Sequence, residues 1–141
     1  MIKTIKNSIV NLINNNLVGS NKAFNAVYSY YTDEWASPYV CVEFTDFSAE
    51  TASNRANKRT YTYNLIIVQQ IHNITREKGK ELLDDQIDKI IKLFDENYTL
   101  WLNNILFVRP VGGTVGTSNN NKWIILFAAI KLDVETLKDY I

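Results

Sequence analysis

The sequence predicts an α+β fold: a single domain spanning residues 1–141 in which an antiparallel sheet of about five strands packs with two helices, in the order α-β-β-β-α-β-β. Three observations predict it. Two segments repeat apolar residues at helical spacing, and five others are short runs of β-branched and aromatic residues. The third is composition: 141 residues, 46% hydrophobic and 21% charged, suffice for one core without disulfide or metal staples.

Ile2, Ile5, Ile9, Leu12 and Ile13 fall on one helical face, and Asn14 to Asn16 continue a helix poorly, so the first helix spans about residues 2–15. Ala26 to Tyr31 is β-prone, and after a turn ending in Pro38 a second run follows from Tyr39 to Phe44; the two read as a hairpin. Residues 45–59 are polar and without sustained periodicity, a long loop of the kind that carries function. From Thr60, Tyr61, Tyr63, Leu65 and Ile67 alternate with polar neighbours in a third strand.

A second helix begins at a cap on Asn73 or Thr75 and runs to about Glu96, with Leu82, Leu83, Ile87, Ile90, Ile91 and Phe94 at helical spacing. Leu106 to Val111 form a fourth strand, its Pro110 tolerable at a sheet edge. Gly112 to Lys122 carry the turn chemistry of a hairpin tip. The fifth strand, Trp123 to Val134, is apolar on both parities, with Trp123, Ile125 and Phe127 on one face and Ile124, Leu126 and Ala128 on the other. Both faces therefore require cover. Two helices on one side leave part of the other to a neighbouring copy of the chain.

Fifteen basic residues balance fifteen acidic ones, which weighs against non-specific nucleic-acid binding. One cysteine and one histidine exclude a disulfide framework and a multi-His metal site. The N-terminal apolar residues are interspersed rather than continuous, and no apolar run approaches a membrane span, so we expect a soluble protein made inside the cell, with no membrane partner.

His72 stands between a strand and a helix with no nucleophile motif nearby, and Cys41 lies in an apolar strand where a thiol behaves as a small hydrophobe. Asp84, Asp85 and Asp88 have Lys80, Lys89 and Lys92 within three or four positions and read as an ion-paired face. Gly112 to Gly116 (GGTVG) lacks the terminal Gly-Lys-Ser/Thr of a phosphate loop. These readings leave no catalytic, cofactor-binding or metal-ligating residue, and no enzyme is expected. Arg55, Lys58 and Arg59 form a local basic cluster, either a solvated loop end or an interface. Together with Trp123, Ile125 and Phe127 they are the candidate interface residues. The loops 45–59 and 112–122 are expected to order mainly on assembly.

Asn57 to Val68 (NKRTYTYNLIIV), the helix Glu81 to Phe94 (ELLDDQIDKIIKLF), Tyr98-Thr99-Leu100 and Val108-Arg109-Pro110-Val111 together resemble the tail terminator, or tail completion, proteins of long-tailed bacteriophages. The likeness covers about residues 2–134 and lies in pattern and order, since the family has no catalytic or ligand signature. It implies a small α/β virion protein, assembled in the host cytoplasm, that forms a hexameric ring on the head-proximal end of the tail tube. There it stops tube polymerisation and offers a surface to the neck. The partners implied are further copies of the chain, the tail tube protein, a head completion or neck protein, and DNA passing through the lumen; no cofactor is implied. Two alternatives stand beside it: a head completion or neck connector role, and a small enzyme or nucleic-acid-binding module using the Arg55, Lys58 and Arg59 loop.

Overall fold

A computed structural model of the chain describes residues 1–30, 37–53, 56–71, 74–119 and 124–139. Its elements are α1 (Ile2–Leu17), β1 (Ala26–Tyr28), β2 (Tyr39–Ser53), β3 (Ala56–Ile71), α2 (Arg76–Glu96), β4 (Ile105–Asn119) and β5 (Ile124–Asp139). The fold is the α+β single domain expected, in the order expected. The strands lie side by side as β1-β2-β3-β5-β4.

Four features differ from the sequence reading. β1 pairs parallel with β2, from Ala26↔Tyr39 to Tyr28↔Cys41, so these two are not a hairpin and the sheet is mixed. Residues 45–53 and 56–59 are not loop: they continue β2 and β3, which pair antiparallel as far as Ser53↔Ala56, and 54–55 lie outside the described residues. Gly112 to Asn119 likewise belong to β4, paired with β5 up to Asn119↔Ile124. The third strand begins at Ala56 and the fifth continues to Asp139, so they pair over their whole length. The same residues that offer turn chemistry are held extended here by a partner strand on at least one side, which outweighs their weak local preference.

Both helices pack on one face of the sheet. Ile5, Ile9 and Ile13 of α1, at four-residue intervals, are wholly buried there. They meet Val40 and Val42 of β2 and Tyr63, Leu65 and Ile67 of β3 in one core with Leu126, Ala128, Ile130, Leu132 and Val134 of β5. Truncating one of these isoleucines to Ala costs about 2–5 kcal/mol, the usual cost of a core cavity. The Tyr63 hydroxyl donates to the Ile2 carbonyl at 2.8 Å and pins the start of α1 to the sheet. Thr75 caps α2, its hydroxyl accepting from the Lys78 amide at 3.1 Å. Gly79 lets the first turns of α2 sit close to the sheet, because a Cβ there would lie 3.1 Å from Ile71 and 3.2 Å from Leu126. None of the helices described is long and apolar enough to cross a membrane.

Two glutamines interrupt this apolar layer. Gln86 of α2 donates to the Gln69 side-chain oxygen at 2.9 Å, and its own side-chain oxygen is buried without a partner. Replacing Gln86 alone with Leu strands the Gln69 oxygen and should cost about 1–3 kcal/mol, whereas Gln69→Leu together with Gln86→Leu should recover most of that loss. Urea denaturation of Gln86→Leu, Gln69→Leu and the double variant checks this; a double variant as unstable as the sum of the two singles contradicts it.

Burial raises the pKa of the Tyr63 phenol well above the ordinary tyrosine range, and the adjacent Tyr61 adds to the rise. Stability from keeping this phenol neutral is complete below about pH 10 and is lost as pH rises further, because the unfolded chain releases the proton first. Tyr63→Phe should therefore melt at lower temperature near neutrality, for want of the bond to Ile2, yet decline less steeply in alkali. An alkaline decline as steep as that of the unaltered chain contradicts this assignment.

Candidate assembly surfaces

The sheet has one face under the helices and one open. On the open face the chain itself covers the upper end: Tyr39, Cys41 and Val68 are buried, with the Tyr28 ring edge-on to Tyr39 at 5.6 Å. Ile125 and Phe127 are half-buried beside them. The Phe127 ring lies over Gly116 of the neighbouring strand, where a Cβ would fall 2.4 Å from it. The apolar character of both parities of β5 is thus largely satisfied within one molecule.

Towards the other end the open face turns polar. The Thr62 hydroxyl donates to Asp133 at 2.8 Å, and Lys58 forms an ion pair with Glu135, whose side chain is only 10% exposed. Arg59, one residue along the same strand, points to the opposite face because successive strand side chains alternate. Lys58 and Arg59 are therefore not one basic patch. Arg55, Trp123 and His72 lie outside the described residues.

Among the described residues two apolar surfaces stand out as uncovered. The first is the far half of the β2–β3 hairpin. Tyr63 is the point where α1 begins, and roughly 23 Å of strand separates it from Ala56 at about 3.3 Å per residue. Along this tongue Thr45 to Ala49 are exposed, and Phe47 shows 59% of its surface. A bulge between Phe44 and Asp46 shifts the alternation by one residue, so that Phe47, opposite Tyr61, joins the face of Phe44. Ala49 and Arg59 are register partners on that same face.

The second surface is the trough between α2 and the edge strand β4. It has a volume of about 370 Å³ and is lined by Ile87 and Ile91 of α2, Pro110 and Gly112 to Val115 of β4, and Ala128 to Ile130 of β5. It exists because Gly113, register partner of Ile130, presents no side chain on the helix side, whereas Gly112, partner of Lys131, faces the open side. At Gly113 none fits, since a Cβ would lie 2.4 Å from the Ala129 carbonyl oxygen. Val115 is 65% exposed at its floor. From Pro110 to Asn119 the edge carries no charge, although edge strands ordinarily use charge to prevent pairing with other chains.

On the solvent side of the trough, Asp84 lines an adjoining depression with Lys80 and Val115, and Asp88 follows one turn later. Asp85 pairs with Lys89 at 3.0 Å, but among the described residues Asp84 and Asp88 take no ion pair. The ion-paired face expected from the sequence is thus partial, and an acidic rim, partly offset by Lys80, remains. A further aromatic, Trp101, stands 84% exposed on the turn after α2, where both Leu100 and Trp101 have left-handed backbone.

The sequence matches no protein-family model and no curated protein at a significant level. The surfaces accordingly rest on geometry alone. Among the described residues no group of three or more His, Cys, Asp or Glu is placed to hold a metal ion. Of the interface residues expected from sequence, Lys58, Arg59, Ile125 and Phe127 are placed, on three separate parts of the sheet. Phe47 and the trough were missed: the bulge hides the alternation of Phe44 and Phe47, and a trough made by missing side chains leaves no apolar signal.

The alternation of Lys58 and Arg59 makes a direct prediction. Lys58→Glu sets a second carboxylate against the largely buried Glu135 and should cost about 1–3 kcal/mol, less than a fully buried pair because Lys58 is partly exposed. Arg59→Glu should change stability by no more than about 0.5 kcal/mol. Thermal melts that rank the two equally contradict this placement.

Proposed function

We propose that the protein is a structural virion component of the tail terminator kind. Copies form a ring on the head-proximal end of the tail tube, stop its polymerisation and present a surface to the head completion or neck protein. The reading assigns it no catalysis. Its support is the resemblance in residues 2–134 together with an α+β domain of the order that the resemblance implies.

One observation carries it beyond resemblance. The two uncovered surfaces, tongue and trough, lie on different parts of the molecule and are unlike each other. Identical subunits that join through two unlike surfaces associate head to tail, and such an association closes into a ring when its rotation permits. A closed ring whose one rim fits the tube and whose other rim does not ends polymerisation by mismatch.

Electron microscopy and native mass measurement of the purified chain should show closed rings, six-membered if the resemblance holds, and addition to polymerising tube protein should shorten the tubes. A chain that stays monomeric at high concentration and leaves tube length unchanged contradicts the proposal.

A further inference from the structure

We propose that the tongue of one copy docks into the α2–β4 trough of the next, with Phe47 entering the trough and Arg59 reaching the acidic rim at Asp84 and Asp88. The inference rests on the ring reading in requiring a second copy, and it names the contact. Three features point to a second copy as the occupant.

The first is charge complementarity. Arg59 is exposed and takes no ion pair among the described residues, and it shares a face of the tongue with Phe47 through the pairs Arg59↔Ala49 and Tyr61↔Phe47. The trough presents the converse, an apolar floor of Ile87, Ile91 and Val115 beside Asp84; Asp84 and, one turn on, Asp88 take no ion pair among the described residues, and Lys80 next to Asp84 offsets only one of these two charges. An aromatic anchor flanked by a cation is the usual composition of an interface hot spot.

The second is size. An aromatic ring with its neighbouring backbone is commensurate with a trough of about 370 Å³, whereas a smooth helix or a flat sheet would leave it empty. The third is separation within the chain. β2 and β4 lie on opposite sides of the β3–β5 pair, so the tongue cannot reach its own trough. The two surfaces meet only between molecules, and the contact they make is head to tail. Gly113 then has a role beyond the fold, that of keeping the trough open for a neighbour's side chain.

The test uses the full chain. Phe47→Asp should weaken self-association by about tenfold or more, measured by analytical ultracentrifugation, with the melting temperature little changed. Arg59→Glu should weaken it as well, and Asp84→Lys with Asp88→Lys should restore association to Arg59→Glu while weakening it in the unaltered chain. Because a variant that melts early would blur this reading, a second measurement stands apart from it. Phe47→Cys mixed with Val115→Cys should form a disulfide-linked pair under mild oxidation that neither forms with the unaltered chain, Cys41 being wholly buried. If the unaltered chain forms rings but these substitutions leave them intact and no mixed pair appears, the tongue–trough contact is wrong while the ring reading survives. If the unaltered chain never associates, both fall.

Discussion

The structure depends on the pairing of β3 with β5. These two strands lie at the centre of the sheet and match residue for residue from Ala56↔Asp139 to Ile71↔Ile124. Because side chains alternate, this unbroken register places Tyr61 to Ile67 and Leu126 to Val134 on one face as a continuous apolar floor. A slip of one residue would exchange that floor for Thr62, Asn64, Lys131 and Asp133. α1 and α2 have a surface to pack on only while the register holds, and both flanking strands are positioned by pairing to this central couple.

Irregularities fall outside the central pair. β2 has bulges beside Phe44 and beside Thr51, and β4 has them beside Ile105 and Pro110. Each inserts a residue and reverses the alternation beyond it. In β2 the reversal turns Phe47 to the helix side, at a level where no helix covers it. In β4 it turns Val115 to the helix side, next to the gap left by Gly113. The regular core and the two uncovered surfaces thus come from one arrangement: long flanking strands outrun the helices, and bulges decide which side chains are left bare.

Much of this was legible in the sequence. The isoleucines of α1, the apolar stripe of α2 and the alternation from Tyr61 to Ile67 each report a periodic environment, and periodicity survives in a one-dimensional string. The far halves of β2 and β4 do not report theirs. Thr45 to Ser53 are strand because β3 lies beside them, and Gly112 to Asn119 are strand because β5 does; neither Thr45 to Ala49 nor Gly112 to Ser118 has a buried face of its own to imprint a pattern. The parallel pairing of β1 with β2 was hidden for a similar reason, since three residues carry no register. At the site, the basic residues 58 and 59 looked like one cluster in sequence, but on a strand adjacent residues face opposite ways. One is spent on Glu135 and the other is available.

The central claim is that one rigid sheet presents two unlike surfaces through which copies of the chain join. Amide hydrogen exchange followed as a function of protein concentration tests it most directly. The account predicts that β3 and β5 amides are protected at every concentration, while those of Thr45 to Ala49 and Gly112 to Ser118 gain protection together as concentration rises. Protection of these two segments that is independent of concentration, or that rises in one of them alone, would contradict it.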